Sequence, residues 1–145
     1  MAPLQKRAWL GLGIGVATSA AIITVLIMKG VTTFHEEEGT RLIVTALFLF
    51  GLFSWAVLLA PVFHWPGRGK RLFDERDEII VRRALQVQLW AVIITMVVWS
   101  IALTEAYWGQ GEIPIVFPYL MFFSIIIVNM LAQATGILIG YWRMG

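Results

Sequence analysis

The chain has 145 residues, 59% hydrophobic and 14% charged, with a formal net charge of +2 and a mean hydropathy of +0.81. Soluble domains carry about 25% charged residues, and a small soluble core has no room for so large an apolar excess, so lipid is the solvent for most of the chain. The absence of cysteine excludes disulfides, thiol nucleophiles, Cys-ligated zinc, iron–sulfur clusters and thiol-based quinone oxidoreductases, and the mild basicity falls short of the concentrated basic face that nucleic-acid binding needs.

Four stretches lack Asp, Glu, Lys and Arg and are long enough to span a bilayer: 8–28, 42–63, 84–104 and 113–142. A hydrocarbon core of roughly 30 Å needs about 20 helical residues. The chain therefore reads as an all-α membrane protein, a single domain of four transmembrane helices in two hairpins. These cover about 6–65 and 84–142, joined by a charged loop at about 66–83.

The first stretch has the outline of a secretory signal, with Lys6 and Arg7 ahead of it and Ser19-Ala20-Ala21 as a small-residue cleavage site. Its apolar run continues through Ile22 to Met28, past that site, so it is expected to stay in the membrane. Gly11, Gly15 and Ser19 form a small-residue face suited to close helix approach. After it come His35, Glu36, Glu37 and Glu38, which read as a solvated acidic loop or as a helix start capped by Thr33 and Glu36. Weak divalent-ion binding is the sharper alternative there. His64 lies at the far end of the next span, so the two histidines are not expected to share a haem or a metal.

Pro61 closes the second span, and Pro66-Gly67 with Gly69 makes a turn. Arg68, Lys70 and Arg71 then fall at headgroup depth, where each adds roughly 1 kcal/mol of attraction to anionic lipid. Walker spacing is missing from this basic turn, so a phosphate loop is not expected. Asp74 is placed to cap the next helix, with Glu75, Arg76, Asp77 and Glu78 in its first turns and Arg82 and Arg83 further on. Glu78 and Arg82 have the favourable i,i+4 order. One helix is predicted from about 73 to 107, projecting some two turns into the cytoplasm before it enters the bilayer.

Gln88, Thr95 and Ser100 mark the third span, and Asn129, Gln133, Gly136 and Gly140 follow one face of the fourth. Helix packing is the expected role of these residues; a polar-substrate or quinone pocket around Asn129 and Gln133 is the sharper alternative. No cofactor is expected.

Lys6, Arg7, Arg68, Lys70, Arg71, Arg76, Arg82, Arg83 and Arg143 fall on one side of this threading. Only Lys29 and Arg41 fall on the other, beside Glu36, Glu37, Glu38, Glu105 and Glu112. The bias predicts a multi-pass inner (plasma) membrane protein with both termini and the central loop in the cytoplasm. Trp9, Trp65 and Trp142 lie at the basic ends and Tyr107 and Trp108 at the acidic one, as aromatic belts do, while Trp55, Trp90 and Trp99 fall deeper. Lys6-Arg7-Ala8 and Arg82-Arg83-Ala84 open the two hairpins 76 positions apart, as the ends of any two positive-inside hairpins would; a parallel repeat about an axis along the membrane normal is the sharper alternative.

The run Asp74-Glu75-Arg76, then Ile79-Ile80, then Arg83-Ala84 resembles the Asp-Glu-Arg…Ile…Arg/Lys-Ala box of several uncharacterised families of small prokaryotic membrane proteins, where it also precedes a transmembrane hairpin. The resemblance covers about a dozen residues and implies a reused structural element, such as a cytoplasmic docking helix, with no activity to carry over.

No span has an acid or a base near its middle, whereas proton-coupled exporters depend on one; Glu105 is nearest, at the outer end of the third span. Nor is there a nucleophile–base or metal constellation. The sequence therefore reads as a non-enzymatic membrane protein that acts by helix–helix association, as an accessory subunit or regulator. Its partners would be the bilayer, anionic headgroups, and itself or another membrane protein. A small oligomeric transporter or channel lined by Asn129, Gln133 and Gln88 is the rival.

Overall fold

A computed structural model describes residues 2–31, 33–59 and 75–144. Its helices are α1 (Pro3–Lys29), α2 (Glu38–Leu58), α3 (Glu75–Tyr107) and α4 (Val116–Met144). All four are long and apolar enough to cross a membrane, and in lipid a continuous helix is the form that satisfies every backbone group within one segment.

α1 starts before its apolar run, because Pro3 is at the first helical position, where the missing N–H costs nothing. It stops at Gly30, whose φ of 83° is a conformation other side chains rarely adopt; the Gly30 N–H closes on the Leu26 carbonyl at 2.9 Å. The expected capping pair does not form. Thr33 turns its hydroxyl back to the Lys29 carbonyl, and α2 begins only at Glu38, with Glu37 at the N-cap. The physical reason is Phe34, which is buried beside Tyr119, with ring centroids 6.3 Å apart. Holding that ring in the core keeps the link in turns. Lys29 Nζ donates to both Glu37 oxygens, at 2.7 and 3.0 Å, and the Thr40 hydroxyl donates to Oε2 at 2.7 Å.

α3 runs unbroken to Tyr107, the predicted end. Expectations resting on Pro61, His64, Trp65, Pro66, Gly67, Arg68, Gly69, Lys70, Arg71 and Asp74 lie outside the described residues. α1 and α3 run one way and α2 and α4 the other. One end of the molecule therefore carries Lys6, Arg7, Arg76, Arg82, Arg83 and Arg143 with Glu75, Asp77 and Glu78, and the other carries Glu36, Glu37, Glu38, Glu105 and Glu112 with Lys29 and Arg41.

α4 packs against all three other helices; α1 also packs on α2, whereas α3 packs chiefly on α4. The arrangement is therefore a wedge of α1, α2 and α4 with α3 laid on its flank. Two apolar clusters fill it, Leu4, Ala8, Ile80, Ala84 and Ile137 among others at the basic end, and Ile22, Phe34, Val44, Phe48, Val116 and Leu120 at the acidic end. Leu4 and Ala8 enter the same cluster as Ile80 and Ala84, 76 positions on in each case. The hairpins match at these starts and differ in how their helices pack.

Close approach depends on glycine at defined points. A Cβ on Gly136 would lie 2.9 Å from the Ala84 Cα, and one on Gly140 would lie 2.7 Å from Ile80 Cγ2. On α1, a Cβ on Gly15 would lie 2.7 Å from Leu131 Cδ2 and one on Gly11 3.1 Å from Leu59 Cδ1, while one on Gly13 would meet nothing within 4 Å. Because the neighbour of Gly136 is backbone, Gly136→Ala should force α3 off α4 and cost about 1–3 kcal/mol. Gly13→Ala should be neutral or stabilising. Unfolding of both variants in mild detergent, followed by circular dichroism, checks the contrast.

The Glu37 clamp also has a pH signature. The Lys29 hydrogen bond, then the Thr40 hydroxyl, then the Lys29 charge hold the Glu37 carboxyl below its ordinary range. A depressed folded-state pKa contributes stability that is present above the unfolded value, about 4.3, and is lost as pH falls through the folded value. The Lys29–Glu37 contact should therefore persist from pH 7 to 5 and open only in stronger acid, and Glu37→Gln should remove that transition. Carbon-13 chemical shifts of the labelled Glu37 carboxyl, followed against pH, measure it.

Candidate functional site

Side-chain hydrogen bonds tie α4 to its neighbours at successive levels. Near the acidic end Thr45 and Tyr119 share a hydroxyl contact at 2.7 Å. Next, Trp99 Nε1 donates to Ser124 Oγ at 2.9 Å, and that hydroxyl donates to the Met121 carbonyl at 2.9 Å. Gln88 Nε2 donates to Asn129 Oδ1. One turn further, Trp55 Nε1 donates to Gln133 Oε1 at 2.7 Å. At the basic end the Tyr141 hydroxyl donates to Asp77 Oδ1. Along this seam α4 thus bonds to α2, twice to α3, to α2 again and finally to α3.

Periodicity explains why the seam exists. Asn129, Gln133, Gly136 and Gly140 recur at intervals of four, three and four, which keeps them on one side of a 3.6-residue helix. Amides there meet polar groups of neighbouring helices, and the glycines allow the backbones close enough for those groups to reach. The structure places Asn129, Gly136 and Gly140 against α3 and Gln133 against Trp55 of α2. Gly11 and Gly15 face Leu59 and Leu131. Trp90 is 63% exposed, unlike the bonded Trp55 and Trp99.

The central pair of amides is incompletely satisfied. Gln133 is 1% exposed, yet its Nε2 has no partner, and neither does the buried Gln88 Oε1. A buried unpaired amide group costs about 1–3 kcal/mol. No titratable group takes part in the seam between the Thr45 and Gln133 levels except the Tyr119 phenol, so this stretch offers hydrogen bonds and packing in place of acid–base chemistry. Among the described residues no three His, Asp or Glu side chains are grouped to hold a metal ion. His35 Nδ1 is buried without a partner, edge-on to the Phe34 ring with centroids 6.1 Å apart.

The predicted docking helix is partly committed to the protein itself. Glu75, Arg76, Glu78, Arg82 and Arg83 are exposed, but Asp77, Ile80 and Ala84 are buried. α4 continues alongside through Tyr141 and Gly140, so this face of the helix start does not project freely. The expected Glu78–Arg82 ion pair does not form. Sequence reasoning passed over Asp77 as one more acid in a capped first turn. The signal was present: Asp77, Ile80 and Ala84 are spaced i, i+3, i+7, one helical face.

Comparison with protein-family models, curated proteins and solved structures gives no match. The geometry therefore carries the functional argument.

A double-mutant cycle of Gln88→Leu and Asn129→Leu in lipid discs should give a coupling energy of about 0.6–2 kcal/mol. The single variants should each lose more stability than the double, because each strands one amide. Reversible unfolding by steric trapping provides the measurement.

Proposed function

We propose that this is a non-enzymatic integral membrane protein that works by lateral association through the outer face of α3, as an accessory subunit or regulator, with its basic end in the cytoplasm. Beyond Ala84 no residue of α3 is buried. Lipid alone would cover an apolar face of that kind, but this face is not wholly apolar. Gln86, Ile93, Val97, Ser100 and Thr104 follow at intervals of seven, four, three and four, a single outward stripe.

The polar members of that stripe carry the reading. Thr18, Ser19, Thr24, Thr45 and Thr95 each return their hydroxyl to the backbone carbonyl four residues earlier. Among the described residues Ser100 and Thr104 have no such bond, and none gives Gln86 a hydrogen-bond partner. Polar groups in lipid are stabilised by hydrogen bonds across a helix–helix contact, and these three are turned away from the protein's own helices. The opposed side of α3 already supplies Gln88 and Trp99 to α4, which argues against Gln88, Asn129 and Gln133 lining a path shared between copies. The exposed charges at the start of α3, and the docking helix implied by the resemblance, are in keeping with a partner that continues past the membrane surface.

The chain has no cysteine, so single cysteines can be placed without background. Val97→Cys and Ser100→Cys should cross-link in native membranes at defined stoichiometry, to a second copy or to one other membrane protein. Phe53→Cys, on α2 and 69% exposed against 50% for Val97, should not. Replacing Gln86, Ser100 and Thr104 together with Leu should abolish the adduct while leaving the fold intact. Val97→Cys and Ser100→Cys that cross-link to nothing would refute the association.

A further inference from the structure

The outer stripe of α3 contains one more residue than its polar members and their aliphatic neighbours. Trp90, 63% exposed, falls inside the interval between Gln86 and Ile93. Gln86, Trp90, Ile93, Val97, Ser100 and Thr104 are then spaced four, three, four, three and four, and all are exposed. Two positions in every seven is the spacing of a left-handed helix pair, in which each such residue inserts between side chains of a helix crossing at about 20°. From Gln86 to Thr104 the helix rises about 27 Å, close to the whole of a hydrocarbon core of about 30 Å. A surface facing only lipid has no use for that period, and a facing helix does.

The polar layers say which helix. In a parallel pair about a twofold axis each layer sets a residue against its own copy. Only a side chain that both donates and accepts can bond to itself, and the amide of Gln86 and the hydroxyls of Ser100 and Thr104 all do. No other face of the chain matches them. Among the described residues of α1, α2 and α4 no amide is exposed, and the exposed hydroxyls are those of Thr24 and Thr135. Thr24 already donates to the Ala20 carbonyl at 2.8 Å. A copy docked by any face but α3 would leave at least two of the three polar layers unpaired, whereas α3 against α3 gives each a like partner.

We propose that the partner of this stripe is a second copy of the chain, joined α3 to α3 about a twofold axis along the membrane normal, with the layers from Gln86 to Thr104 in register. The proposal rests on the lateral association through α3 argued above and names its partner. Copies threaded by the same charge bias run parallel. Arg83 continues the spacing three residues before Gln86 and would face its own copy as a like charge, which costs energy. The paired stretch therefore ends at Gln86, on the basic side of the span.

Two adjacent residues distinguish a seam from random collision. Val97 is in the stripe and Val98 is one residue off it, 50% and 59% exposed. Two differently tagged copies of the full chain, each with the same single cysteine, are co-expressed and oxidised in native membranes. Val97→Cys should give a disulfide dimer that carries both tags, and Val98→Cys at least about fivefold less of it. Ile93→Cys, also in the stripe, repeats the comparison if Val97→Cys does not fold. A benzophenone attached to the same thiol captures any neighbour, with or without a cysteine of its own. Capture of one different protein in place of a copy overturns the twofold pair and leaves the association standing; capture of nothing overturns both. Equal yields of mixed-tag dimer from Val97→Cys and Val98→Cys overturn the pair as well.

Discussion

The structure depends on the polar and glycine-lined face of α4. In lipid the hydrocarbon tails are as apolar as the side chains, so burial gives helices no general reason to associate. What remains is close packing and hydrogen bonding, and α4 supplies both. Each side-chain hydrogen bond that joins two of the helices among the described residues has α4 as one partner. α1 is the exception that shows the alternative. It makes none of these bonds and is held by Gly11 and Gly15 against Leu59 and Leu131, an apolar contact of close-packed surfaces. Two modes of adhesion thus meet on α4: toward α1, close packing of Leu131 on Gly15 alone, and toward α2 and α3 an amide and indole seam, joined on the α3 side by the close approach at Gly136 and Gly140.

That division explains why the two hairpins share their starts and not their packing. Ala8 and Ala84 occupy equivalent places in one cluster. Shifting Asn129 and Gln133 back by the same 76 positions lands on Phe53 and Val57, both exposed and apolar. α2 therefore lacks the residues with which α4 holds its neighbours. A symmetric arrangement would have Phe53 bond to α1 as Asn129 bonds to Gln88 of α3, and Phe53 has no amide with which to do so. If the halves arose by duplication, they diverged at the residues that organise the core.

Much of this was legible in the sequence, and the limits have physical causes. The spans were visible because bilayer thickness sets helix length, and the charged ends because short loops carry the bias. Asn129, Gln133, Gln88 and the four glycines were recognisable as packing residues, since amides and glycine are costly in lipid unless used. Their partners were not. Whether Gln133 meets Trp55 or Gln88 is settled by the relative rotation of three helices, which no single segment encodes. Phe34 misled the reading of its loop in a related way: Thr33 and Glu36 have capping spacing, but burial of one aromatic ring outweighs a cap worth about 1 kcal/mol. Asp77 was hidden by its company, a buried acid among exposed ones.

Asp77 also bears on how α3 presents its outer face. A helix resting on a single neighbour is free to roll about its own axis unless something stops it. Here Tyr141 holds Asp77, Asn129 holds Gln88 and Ser124 holds Trp99, three ties spread from the basic end toward the acidic end. Rolling would break all of them together. The stripe from Gln86 to Thr104 is therefore fixed in azimuth, and in the association proposed above a surface already held in position would lose less entropy than a mobile one. The inner seam and the outer stripe are in this sense one device: the hydrogen bonds that α4 gives to one side of α3 determine what the other side offers.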